Sequence, residues 1–126
     1  MKIYLPFDFQ QNELMFMRRA GYHQFNDYNS GNTSYIRRLS DGFYPRFHVY
    51  IQTDKDNRTS INLHLDQKKS SYAGAHAHSA DYDGPVVETE GKRLQGLIDN
   101  QMHNQQQLRS DAVEEEKKGF WQKIFG

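Results

Sequence analysis

Two runs of strict period-two alternation constrain this chain most. Phe47, Val49 and Ile51 alternate with Arg46, His48, Tyr50 and Gln52, and Ile61, Leu63 and Leu65 alternate with Asn62, His64 and Asp66. Successive side chains of a strand point to opposite faces, so each run predicts a strand with one apolar and one polar face. The polar segment Asp54-Lys55-Asp56-Asn57-Arg58 between them reads as a hairpin loop. Such a pair must bury its apolar face against another layer.

The flanking sequence supplies that layer. Thr33 to Leu39 leads through Ser40-Asp41-Gly42 into a strand from Phe43 to Thr53, and Asp-Gly is a hairpin-turn signal. Lys2 to Phe7 reads as a short edge strand, where Pro6 is tolerated. Asp8 followed by Gln11 resembles a capping box for a helix to Ala20, with Leu14, Met17 and Ala20 on one side and Gly21 as its stop. Pro85 opens a second helix after Asp83 or Gly84, with Val87, Leu94, Leu97, Ile98 and Met102 as its apolar stripe. Gly91 and Gly96 each weaken that helix by roughly 1 kcal/mol relative to Ala. The order β-α-β-β-β-α predicts an α+β fold. It is a three-stranded antiparallel meander, with an N-terminal edge strand beside it, packed on two helices. The expected division is a domain over 1–103, a polar linker over 104–113 and an amphipathic C-terminal tail over 114–126.

Composition fits one such domain. The chain has 126 residues, 36% hydrophobic but 13% aromatic, with eight Phe and eight Tyr to fill a core. There is no Cys, which removes disulfides and thiolate metal sites and is compatible with a cytoplasmic setting. Neither a signal-peptide pattern nor a transmembrane-length apolar run is visible. Net charge is zero; residues 1–70 hold ten Lys/Arg against seven Asp/Glu, and residues 71–126 six against nine. That asymmetry is too weak to define a nucleic-acid binder by field alone.

With the strands in this register, Tyr35, Arg37, Arg46, His48, Tyr50, His64 and Asp66 share the face turned away from the helices. A one-residue slip would put Ile36 and Arg38 there in place of Tyr35 and Arg37. Arginine and histidine together hold a phosphate and move protons near neutral pH, with His48, His64 and His78 as candidate catalytic groups. Tyr35, Arg37, Arg46 and Tyr50 also suit stacking on unpaired bases of RNA or DNA, and Lys68 and Lys69 would extend a phosphate-binding surface. A one-sided sheet presents polar residues to water in any case, which is the plainest alternative.

The segment from Gln67 to Gly84 reads as a long loop carrying His76-Ala77-His78. His64, His76 and His78, with Asp66 and Asp81, have the donor types for a divalent metal such as zinc or manganese. The same histidines could instead hydrogen-bond an anion, or fasten the loop to the sheet through Asp81 and Asp83. His-x-His alone is a modest signal.

The last segment runs Glu114-Glu115-Glu116-Lys117-Lys118 and then carries Phe120, Trp121, Ile124 and Phe125 at one side of a helix. Docking into a partner protein's groove is the leading expectation, ahead of packing on its own domain and of membrane contact. The sequence favours an interaction or adaptor protein with a ligand site on its sheet. The alternatives are a metal- or histidine-dependent phosphodiesterase or ribonuclease, and a single-stranded nucleic-acid-binding module. No serine or cysteine nucleophile motif, phosphate-binding glycine loop or dinucleotide fingerprint is present.

Overall fold

A computed structural model describes residues 1–26, 33–69, 78–81 and 83–126, with Lys68, Lys69 and residues 78–81 as backbone. The fold is α+β. Its elements are β1 (Lys2–Tyr4), α1 (Glu13–Arg19), β2 (His23–Asn26), β3 (Thr33–Arg38), β4 (Arg46–Thr53), β5 (Thr59–Lys69), β6 (His78–Asp81) and α2 (Pro85–Phe125). The strands form one antiparallel sheet in the order β1-β5-β4-β3-β2. Strand β6 pairs with β5 further along the edge that β1 occupies.

The expected meander is therefore present as β3-β4-β5, with three further strands around it. The hairpin β4–β5 pairs His48 with His64 and Val49 with Leu63. Asp54 Oδ1 closes its loop by accepting from the amides of Asp56 and Arg58, both at 2.9 Å. The segment expected to be a single loop from Gln67 onward is partly strand, because β5 continues to Lys69 and β6 returns beside it.

The register of β3 on β4 differs from the expected one. Arg38 pairs with Arg46, Ile36 with His48 and Ser34 with Tyr50. Asp41-Gly42 does not make a tight turn; residues 39–45 form a wider loop closed by Leu39 N–H donating to the Pro45 carbonyl at 3.1 Å. Shifting the pairing by one residue exchanges the two faces of a strand. Tyr35 and Arg37 consequently face the helices, and Ser34 and Ile36 face the other way.

One core lies between the sheet and the helices. Ile3, Leu5, Tyr35, Phe47, Val49, Ile61, Leu63 and Leu65 from the sheet meet Phe16, Met17 and Ala20 of the α1 segment and Val87, Leu94 and Ile98 of α2. Burying each large aliphatic side chain contributes about 1.5–3 kcal/mol. Helix α1 starts later than expected. Its cap is Asn12, whose Oδ1 accepts from Leu14 N at 2.9 Å, while the carbonyl of Asp8 is taken by Gln105 Nε2 at 2.8 Å. Gly21, at φ 92°, ends α1: its amide donates to Arg18 O and that of Tyr22 to Met17 O.

Helix α2 is 41 residues long and is continuous through 104–113, the stretch read above as a linker. Gln105, Gln106, Gln107, Leu108, Arg109 and Ala112 are good helix formers, and no Gly or Pro interrupts this stretch. Gln107 also donates to Asp111 at 3.1 Å, one turn on. Packing of α2 on the body ends near Gln105, whose Oε1 accepts from Gln10 N at 3.0 Å. An exposed ion pair, Arg109 to Asp8 at 3.8 Å, follows, and residues 106–126 are all exposed. No described helix is long and apolar enough to cross a membrane.

Candidate functional site

The sheet face turned away from the helices carries a buried polar cluster. Cross-strand pairing sets Arg46 opposite Asp66 and His48 opposite His64, so strand geometry alone brings the four together. They are 7%, 2%, 5% and 4% exposed, respectively. The period-two pattern located these residues on a common face, but a polar strand face was expected to be solvated.

Asp66 is the hub. Its Oδ2 accepts from Arg46 Nε at 3.1 Å and lies 3.1 Å from His48 Nδ1. Its Oδ1 lies 3.0 Å from His64 Nε2, yet among the described residues no donor is aligned on it as a hydrogen bond. Burial pushes the Asp66 carboxyl up, and the polar contacts of His48 and His64, with the positive charge those rings carry when protonated, outweigh it and hold the group well below the usual carboxylate range. The Arg46 guanidinium sits 4.7 Å from the Tyr44 ring centre and 5.1 Å from that of Phe25.

His48 connects the hub to β3. Its Nε2 lies 2.8 Å from Ser34 Oγ, which donates to the Phe25 carbonyl at 3.0 Å. The carbonyl is an acceptor only and a serine hydroxyl has one hydrogen, so Nε2 of His48 is the donor to Ser34. The rings of His48, His64 and Tyr50 pack together, with His48 and His64 centres 4.8 Å apart and Tyr50 stacked on His64 at 5.7 Å.

Of the residues singled out in the sequence, Arg46, His48, Tyr50, His64 and Asp66 come together. Tyr35 and Arg37 do not join them: Tyr35 is in the core and Arg37 reaches Glu90 on α2 at 3.5 Å. Lys68 and Lys69 lie at the end of β5 with backbones paired to Ser79 and His78, and Asp81 pairs with Leu65. His76 lies outside the described residues, as do the side chains of His78 and Asp81.

Ser34, Phe25 and Tyr44 were not legible as site residues. Phe25 lies in the four-residue strand His-Gln-Phe-Asn, which has no apolar alternation. A second buried polar group, also not anticipated, fastens α2 to the body. Glu90 is 4% exposed and accepts from Tyr22 Oη at 2.6 Å and from Arg93 Nε at 2.6 Å, while Arg93 also reaches the Ala20 carbonyl at 2.7 Å.

The far end of α2 presents the second candidate surface. Phe120, Trp121, Ile124 and Phe125 are 54–73% exposed, and the Trp121 and Phe125 rings stack at 4.8 Å. They stand roughly 16–24 Å along the helix from Arg109 at 1.5 Å per residue. No family model, curated protein or solved structure matches the chain.

Proposed function

We propose that the chain is a protein-interaction module in which the α+β body holds α2 and the end of that helix docks into an apolar groove of a partner protein. The observation that carries this reading is the exposure of Phe120, Trp121, Ile124 and Phe125 on a helix that has left the body by about Arg109. Four large apolar side chains grouped within two helical turns form a patch of the kind that marks an interaction site. The helix is already formed, so docking would order few backbone torsions, and each anchor contributes about 1.5–3 kcal/mol when buried. Glu114, Glu115 and Glu116 immediately before the patch favour a protein groove over an anionic lipid surface. A cytoplasmic setting fits the lack of cysteine.

The hydrolytic and nucleic-acid readings carry less weight. A phosphodiester substrate must touch its acid and base, whereas His48 and His64 are 5% and 4% exposed. A base-stacking surface built on Tyr35 and Arg37 lacks both, because they face the helices.

The test is to capture a partner with the wild-type protein, reconstitute the complex from purified components, and measure its affinity against Trp121→Glu/Phe125→Glu. A loss of at least ~100-fold with an unchanged melting temperature is expected. A reconstituted affinity that ignores the double substitution contradicts the proposal.

A further inference from the structure

We infer that His48, His64 and Asp66 form a binding site for one divalent first-row transition metal ion, with zinc the best-fitting probe. This inference is independent of partner docking. The three side chains are buried and each offers one ligand atom, and those atoms all lie within 4.8 Å of one another. Two imidazole nitrogens and one carboxylate oxygen, without sulfur, suit zinc, manganese or iron(II); the nitrogens disfavour magnesium and calcium.

The hydrogen bonds of the cluster call for a cation among these groups. Ser34 Oγ gives its hydrogen to the Phe25 carbonyl, so His48 donates through Nε2. In a neutral ring that leaves a lone pair on Nδ1, and Nδ1 stands 3.1 Å from the carboxylate of Asp66. Lone pair against anion is repulsive, and burial of both groups amplifies the repulsion. A proton or a metal ion must therefore sit on Nδ1.

Three features favour the metal. Asp66 Oδ1 is buried with no aligned donor among the described residues, although His64 Nε2 is only 3.0 Å away. Arg46 already holds Oδ2, leaving Oδ1 as the oxygen to coordinate. The bond from His48 Nε2 to Ser34, with Ser34 passing to Phe25 O, is the outer contact that fixes the tautomer of a metal-bound histidine.

The experiment uses the untagged full chain, stripped with a chelator and titrated with zinc against a chromophoric competitor. One zinc per chain is expected. His64→Gln should weaken binding by at least ~100-fold, and Ser34→Ala by about 10-fold, in line with losses seen when outer contacts are removed. The His76→Ala/His78→Ala variant should retain the site. Should His64→Gln fail to fold, imidazole nitrogen NMR of the wild type decides: His48 Nδ1 and His64 Nε2 should shift on zinc addition. Folded wild type that takes up no zinc, binding that survives His64→Gln, or shifts confined to His76 and His78 overturn the assignment.

Discussion

His48 Nδ1 and Asp66 Oδ2 face one another at 3.1 Å across neighbouring strands, both side chains buried and Arg46 Nε on the same oxygen at 3.1 Å. Asp66 is thus the anion for a buried arginine. Asp66→Asn keeps the shape and removes the charge, leaving Arg46 without its counterion in a dry setting. Stripping one partner from a buried pair costs about 3–5 kcal/mol, so chemical denaturation at neutral pH should show a loss of that size. A loss below ~1 kcal/mol would mean that water reaches the cluster.

Glu90 should make folding acid-sensitive. Burial pushes its carboxyl up, but hydrogen bonds from Arg93 and Tyr22, with the charges of Arg93 and Arg37, outweigh burial and hold it below the ordinary carboxylate value. A lowered folded value stabilises the fold above the unfolded pKa, and that contribution is lost as pH falls through the folded one. Glu90→Gln should cost about 2–3 kcal/mol at pH 7, below the usual figure because the arginines are a third exposed. The difference from wild type should shrink below about pH 4. Paired denaturation curves at pH 7 and pH 3 measure this, and a gap that does not narrow contradicts it.

The two glycines of the packed part of α2 should respond differently to alanine. A Cβ at Gly96 meets nothing within 4 Å, so Gly96→Ala should stabilise by about 0.8–1 kcal/mol. A Cβ at Gly91 overlaps the sulfur of Met1, whose amino group donates to Leu63 O at 2.9 Å. Gly91→Ala must move that side chain and should gain less, or lose. Thermal melts of the two variants separate them.

Substitutions at the end of α2 should leave stability alone. Phe125→Ala and Trp121→Ala remove side chains that are 73% and 56% exposed, and exposed sites change stability by no more than about 0.5 kcal/mol. Leu94→Ala, at a fully buried position of the same helix, should cost about 2–5 kcal/mol. A large loss from either aromatic substitution would place the patch against the body.

Much of the fold was legible because one rule governs it. Alternation at Phe47, Val49, Ile51 and at Ile61, Leu63, Leu65 marked the central hairpin and its buried face. The stripe from Val87 to Met102 marked the helix that covers it. Strand β2 escaped because a short edge strand needs only backbone pairing, which leaves little pattern in its side chains. The register of β3 escaped because Asp41-Gly42 signals a tight turn, whereas residues 39–45 close a wider loop. Within the site, the members Arg46, His48, His64 and Asp66 were legible but their burial was not. Polarity normally means water, unless the polar groups satisfy one another. Opposite charges at Arg46 and Asp66, and paired histidines at 48 and 64, were the signal available.

Trp121 is the only tryptophan in the chain, so its fluorescence reports directly on the docking patch. The decisive measurement follows its emission and collisional quenching in the isolated protein and then on titration with the purified partner. Docking predicts a water-exposed, freely quenched indole in the isolated protein, and a blue shift with protection that saturates as the complex forms. A shielded indole in the isolated protein at every concentration, or emission unmoved at saturating partner, would contradict it.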